Sequence, residues 1–457
     1  MFAIAGIALL IVQAYTRPQE FIPALKSLPL LYIFFALALF GLVVDFRLRH
    51  SRPVAPPLLS WVLLFAGWAL FTVGNRLPGD LVTYATDLGI TLSFFFLVAL
   101  GVQSFRAFSI IAATVLAIVL YLAAVGIHQG TAPFGCLKLD PSATDASGSW
   151  DGRSCQSAAD CREGGDEPDA DYVCERVGLF DTSTVAGGRV RYRGALNDPN
   201  ELSLTIGIAL PFAFAFFERK RTFWRALLVA VSFVAIAWCT VLTQSRGGQL
   251  VFLVVLAAYF VKRYGARGLV AAAIFAVPML LLGGRSTGEA DESSLERIDM
   301  MHRALELFFW YPVRGVGMGQ ILQYNPLTAH NSYALAAAEL GLPGLIIWSS
   351  TLYLSIKVCV QILRRYADDP AAAVARTWAM ALLASLIGLS VGVFFLSFCY
   401  HFVFWVYIGL VGALWQACHA RDPKFEVRLD GLDLLRLAGL DVALVLAIWI
   451  YTSFKMG

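Results

Sequence analysis

The chain has 457 residues, of which 58% are hydrophobic and only 15% charged, and its formal net charge is +3. Soluble domains carry roughly 25% charged residues, so this composition excludes an ordinary soluble fold. So small a positive excess, held in loops between apolar runs, gives no support to nucleic-acid binding.

Apolar stretches recur near residues 2–15, 28–46, 56–73, 82–102, 107–128, 200–217, 224–243, 248–262, 268–283, 331–358, 375–398, 400–418 and 432–453. Most are long enough to cross hydrocarbon as a helix. The first and eighth are short and the last carries Asp441, so an all-α polytopic membrane protein of about 12–14 spans is expected. No positive charge precedes Phe2 and no small-residue cleavage site precedes Arg17, so a cleaved signal peptide is not expected.

Lysine and arginine set the orientation. With a cytoplasmic N-terminus and alternating spans, the inward loops hold Arg47, Arg49, Arg52, the cluster from Arg219 to Arg225 and that from Lys262 to Arg267, whereas the short outward loops hold only Arg17, Lys26, Arg76 and Arg246. The positive-inside rule expects this asymmetry.

Two long segments then fall outside. Residues 129–194 hold 11 acidic and 7 basic residues, and four cysteines, Cys136, Cys155, Cys161 and Cys174. An even set of cysteines in an extracytoplasmic loop reads as two disulfides, with three possible connectivities. The rival is a metal site, but the intervening 18, 5 and 12 residues lack the close CxxC pairs of zinc sites, so no metal is expected. Cys239, Cys359, Cys399 and Cys418 lie in apolar spans and read as small buried hydrophobes. The second long segment runs from Gly283 to Ala329.

Three motifs converge on the outward face. In RVRYRGALNDPNELS, Arg189, Arg191 and Arg193 lead into Asn197, Asp198, Pro199 and Asn200. The Asp-Pro turn starts a helix, and Arg193 and Asn200 read either as a capped helix beside lipid headgroups or as a polar mouth for an anionic lipid-linked substrate. In TQSRGGQL, Arg246 occupies a short connection between spans. An arginine beside the membrane core reads as functional by default, although snorkelling to headgroups is the plainer role. Gly247 and Gly248 would let a phosphate approach the backbone at a helix N-terminus. In SSLERIDMMHRALELFFWYPVRGVGMG, Ser293 or Ser294 is expected to cap an amphipathic surface helix carrying Arg297 and Arg303. Pro312 ends it, and Gly315, Gly317 and Gly319 turn the chain back toward His330.

HNSYALAAAELGLPG follows, from His330 to Gly344. A lone histidine at a helix mouth is commonly structural. Here the positive end of the helix dipole disfavours imidazolium and leaves a neutral, base-competent ring. Asn331 can orient it, and Glu339 is a second candidate for a supporting position.

These motifs resemble the O-antigen ligase superfamily, which also holds polysaccharide polymerases. The resemblance covers roughly residues 193–415 and rests on the PNEL turn, the TQSRGG connection, the Arg297 helix, the GVGMG turn and the His-Asn, nine-residue, Gly-x-x-Gly pattern, which the ligase version often continues with Thr where this chain has Leu345. It implies a GT-C-like membrane glycosyltransferase in the bacterial inner membrane, working on the periplasmic side without cofactor or metal. The donor would be an undecaprenyl diphosphate-linked glycan and the acceptor a hydroxyl of lipid A-core or another glycan. Arg246 and Arg297 would bind the diphosphate and His330 would activate the acceptor. Transfer to a protein Ser or Thr, a polymerase joining lipid-linked repeat units, and a lipid-linked sugar flippase are the alternatives. The flippase fits less well, because the inward halves of nearly all spans lack charge. The chain divides into N-terminal spans 1–128, a cysteine loop 129–194, spans 195–283, a second loop 284–330 and C-terminal spans 331–457.

Overall fold

A computed structural model of the chain describes residues 2–456 apart from residues 53, 140–147, 163–170, 186, 269, 271–273 and 275–286. Among the described residues, eleven helical segments are long and apolar enough to cross a membrane. The chain is a multi-pass membrane protein. Its first half comprises α1 (Ala3–Thr16), α2 (Leu30–Arg47), α3 (Leu58–Arg76), α4 (Leu81–Gly101), α5 (Phe105–Thr131) and, inside the cysteine loop, the short α6 (Ala158–Arg162). There follow α7 (Pro199–Gly207) and α8 (Leu210–Arg219), which together make one span, then α9 (Phe223–Leu242) and α10 (Arg246–Tyr264). The rest are α11 (Thr287–Trp310), α12 (Ser332–Arg365), α13 (Ala373–Gly392), α14 (Phe402–His419) and α15 (Gly431–Met456). The span expected at 268–283 lies almost wholly outside the described residues.

Helix α1 has 14 residues, about 21 Å of helix, short of a full crossing. It is absorbed into the bundle by small residues. A Cβ on Gly6 would stand 2.5 Å from the Ala38 backbone, and one on Gly41 2.7 Å from that of Ala3, so α1 and α2 cross backbone to backbone. Asp45 at the end of α2 accepts from the Phe2 and Ala3 amides, both at 3.0 Å. It thereby satisfies free N–H groups at the start of α1, which explains a buried carboxylate there. The middle of the bundle is α14, 89% buried over its span, whereas α9 and α15 are only 22% buried and lie at its outside.

Side-chain bonds tie the helices together at both ends of the bundle. At one end, ion pairs join Arg263 to Glu218, Arg365 to Asp422 and Lys357 to Asp433, and Arg219 bonds Ser109. At the other, Tyr192 donates to the Thr16 carbonyl at 2.7 Å, Gln320 bonds Tyr84 at 2.6 Å, and His401 meets the Ala195 carbonyl at 2.9 Å. These bonds join the end of α1 and the residues before α14 to the segment before α7, and the start of α4 to the turn after α11.

Within the cysteine loop, β1 (Phe134–Leu139), β2 (Gly148–Ser154) and β3 (Tyr172–Arg176) form an antiparallel sheet in the order β2-β1-β3. Disulfides Cys136–Cys161 and Cys155–Cys174 cross-link it. Nothing in the loop's polar, Gly- and Asp-rich sequence announced strands.

Candidate active site

The site is assembled from helix mouths. Asp198 caps α7, its carboxylate accepting from the Asn200 amide at 2.6 Å. Ser245 caps α10, its hydroxyl accepting from the Gly248 amide at 3.0 Å. The two caps are joined, because the Ser245 hydroxyl donates to the Asn200 carboxamide oxygen at 2.6 Å. The first two sequence motifs are thus one structural unit, and Arg246 stands exposed at the first position of α10, directly after the joint.

This corrects two expectations. Asn200 is buried and bonds Ser245, with the Arg189 guanidinium 3.5 Å away; it braces the two helices and does not line an open mouth. Arg189 and Arg191 are buried as well: Arg189 donates to the Thr243 carbonyl at 3.1 Å, and Arg191 to Ser183 and to Asn197. Arg193 alone of the three stays half-buried, bonding the Glu20 carbonyl at 3.2 Å and facing the Phe21 ring. Nor do the two glycines after Arg246 behave alike. A Cβ on Gly248 would fall 1.9 Å from the Ser203 hydroxyl, while one on Gly247 would meet Phe395 at an ordinary 3.5 Å. Gly248 lets α10 touch α7.

Asn331 caps α12, its side-chain oxygen accepting from the Tyr333 and Ala334 amides, both at 2.9 Å. Its task is to start the helix, with no bond to the His330 ring. Ser332 fixes the same mouth to the chain after α13, donating to the Val393 and Leu396 carbonyls and accepting from the Phe398 amide. His330 is thereby held just outside the helix at φ +48°, a left-handed conformation sparse for residues other than glycine.

Further down, α12 is broken. Gly341 has φ +68°, and Pro343 lies inside the helix. Proline has no N–H, so the Glu339 carbonyl four residues back loses its helical donor. The Gly317 amide replaces it at 2.9 Å. Val316 donates to the Ala338 carbonyl at 2.9 Å, Leu342 donates out to Pro312 at 2.7 Å, and the Trp68 indole takes the Leu340 carbonyl at 2.8 Å. Backbone groups freed at membrane depth must find partners, and the glycine turn supplies them. Glu339 belongs to this joint: its buried carboxylate accepts from the Ile321 amide at 3.1 Å. Nine residues of helix, about 13 Å, separate it from His330, so the expected supporting position lies on the turn and not beside the histidine.

Helix α11 brings the third motif. It already runs at Thr287, so Ser293 and Ser294 lie within it and not at its start. Ala304, Leu305 and Phe308 are buried, and His302 stacks on Trp449 of α15 with ring centroids 4.4 Å apart. Arg303 pairs with Asp299 at 3.0 Å on the outer side. Arg297 is half-buried and acts on His330. The histidine is itself half-buried, and burial first, then the Arg297 guanidinium, pull its pKa below the usual value, against the weaker upward pull of Asp198 and Glu296. The ring is neutral near pH 7 and free to take a proton. Asp198, read from sequence only as a turn former, is thus a member of the histidine's surroundings; a DP dipeptide carries no signal of that role.

A neutral imidazole with a guanidinium acting on it suits removal of a hydroxyl proton beside a polyanionic leaving group, and Arg246 enters only through the mouth of α10, which is joined to that of α7, where Asp198 acts on His330. Residues 231–349 match the family model described as O-antigen ligase. The matched stretch contains Arg246, Arg297 and the whole segment from His330 to Gly344, and it supports membership of the O-antigen ligase/polymerase superfamily. No curated protein matches the chain.

Proposed function

We propose that this O-antigen ligase/polymerase-type membrane enzyme transfers a glycan from undecaprenyl diphosphate to an acceptor hydroxyl at the periplasmic face of the bacterial inner membrane. Arg246 and Arg297 hold the diphosphate. The neutral ring of His330 takes the acceptor proton as the acceptor oxygen bonds to the anomeric carbon. The carbon–oxygen bond to the diphosphate breaks in the same step, and undecaprenyl diphosphate leaves with both electrons. A single base and direct displacement give inversion at the sugar carbon. A diphosphate departs without protonation, so the step calls for no general acid and no divalent cation, only for cations facing the developing charge.

The observation that supports this reading best is the electrostatic setting of His330, half-buried and under the influence of Arg297 inside the matched domain. The crowding of lysine and arginine at the opposite end of the bundle supports the periplasmic orientation. Transfer from a purified lipid-linked donor in vitro, with donor binding measured separately, is the test: an active His330→Ala protein would end the mechanism. The ligase form of the His330 pattern favours ligase over polymerase. Deleting the gene separates them, since loss of a ligase leaves long glycans on undecaprenyl diphosphate and bare core lipid. Loss of a polymerase leaves single repeat units still transferred.

A further inference from the structure

A groove of about 660 Å³ runs along α11 and the turn at Tyr324 and Asn325, outside the site described above. Asp299, Arg303, Glu306 and Trp310 recur at offsets of four, three and four residues and so form one face of the helix. Arg297 precedes Asp299 by two residues, about 200° around the axis, and therefore projects from the opposite face. The groove therefore lies on the face of α11 turned away from Arg297.

Its lining is aromatic and polar together. Trp310 is 78% exposed and Tyr324 50% exposed, two rings left bare beside carboxylates. Asn325 is among the residues lining the groove, only 3% exposed, and its side-chain Nδ2 has no partner among the described residues. A buried donor left unmatched is costly until an acceptor arrives. The charges argue against a phosphate: Arg303 is paired with Asp299 at 3.0 Å, and Glu306, 3.7 Å from the His302 ring, supplies a second carboxylate. Bare rings flanked by carboxylate and carboxamide groups suit a ligand with apolar C–H faces and many hydroxyls, which stacks on the rings and hydrogen-bonds at its edges.

The geometry points to a sugar-binding subsite in this groove, occupied by units of the glycan remote from the reacting one. The assignment of a glycan rests on the transfer reading above. A helix with its side chains is about 10–12 Å across, so a chain reacting near His330 must continue around α11 by more than one sugar before it reaches the groove. The subsite would therefore recognise oligosaccharides and pass over single sugars.

The test is binding to the full-length protein in nanodiscs, followed by saturation-transfer NMR. The probes are an oligosaccharide and a monosaccharide released by mild acid from the host cell's own surface polysaccharide. The oligosaccharide should bind saturably to the wild type and equally to His330→Ala. Binding should weaken at least about five-fold in Trp310→Ala and Tyr324→Ala and recover in Trp310→Phe, which keeps a ring. The monosaccharide should bind all variants alike. Both truncated side chains are exposed, so folding is not at stake, and thermal unfolding checks it. Absence of saturable binding, binding indifferent to both alanine variants, or displacement by glycerol phosphate would overturn the subsite. Because no turnover is read, failure of the transfer mechanism and failure of this subsite are separate results.

Discussion

Ser245 and Asn200, 45 residues apart in the chain, share a 2.6 Å hydrogen bond that fastens the mouth of α10 to the mouth of α7. The position of Arg246 depends on that bond, because the arginine follows Ser245 directly and begins the helix that Ser245 caps. A small substitution at the contact between these helices should therefore be felt at the arginine.

The paired glycines test this. Gly248→Ala places a methyl 1.9 Å from the Ser203 hydroxyl and should destabilise the protein by about 1–3 kcal/mol through overpacking, with transfer falling in step. Gly247→Ala meets only van der Waals contact at Phe395 and should be close to neutral. Thermal unfolding in detergent and transfer rates for the two variants decide it; equal sensitivity would show that the space beside Arg246 serves something other than helix contact.

Substitutions at the reacting groups should differ in kind. His330→Ala should lose transfer by ~10²–10⁴-fold with donor binding nearly intact, as expected of a proton acceptor that does not touch phosphate. Arg246→Ala and Arg297→Ala should lose both, each at a cost of about 2–4 kcal/mol. Lysine at either position should recover only part, lacking the planar bidentate fork. Chelator should leave every variant unchanged.

The acid limb of the rate should carry the signature of the neighbours. His330 acts when neutral, so transfer should fall as pH drops through its pKa, which burial and Arg297 hold below the usual histidine value. Arg297→Gln removes a positive charge, makes imidazolium less unfavourable, raises that pKa and should move the acid limb to higher pH. Glu296→Gln removes a negative charge and should move it the other way. The limb is read from the residual activity of each variant at saturating donor, and shifts of the same sign would refute the assignment of the base.

Non-reducing mass spectrometry should recover Cys136–Cys161 and Cys155–Cys174, with Cys239, Cys359, Cys399 and Cys418 as free thiols. Removing either bridge should cost the loop sheet about 2–4 kcal/mol, read as faster proteolysis within residues 134–176. Free thiols at all four loop positions would contradict the paired form.

Spans were legible because each states itself locally: some 20 apolar residues are enough. Helix α1 was harder, since its membership depends on Gly6 and Gly41 meeting α2 and on Asp45 reaching back to its first amides. The segment around His330 was legible as a spacing, but the reason for that spacing was not. Gly341 and Pro343 break the helix, and the groups that answer the break come from residues 68 and 312–317, partners no local pattern names. Charge alone also misled at Arg189 and Arg191, which a string of basic residues presents as a surface and the fold buries as braces. The bare rings at Trp310 and Tyr324 left no mark in a sequence already rich in aromatics.

The broken helix bears on how the protein is made. Every outside group that completes the joint in α12, from the Trp68 indole to the Gly317 amide, lies earlier in the chain than Gly341. Synthesis runs from the N-terminus, so these groups have left the ribosome before the carbonyls that need them. The defect in the helix meets its remedy on arrival, and lipid never has to tolerate it bare.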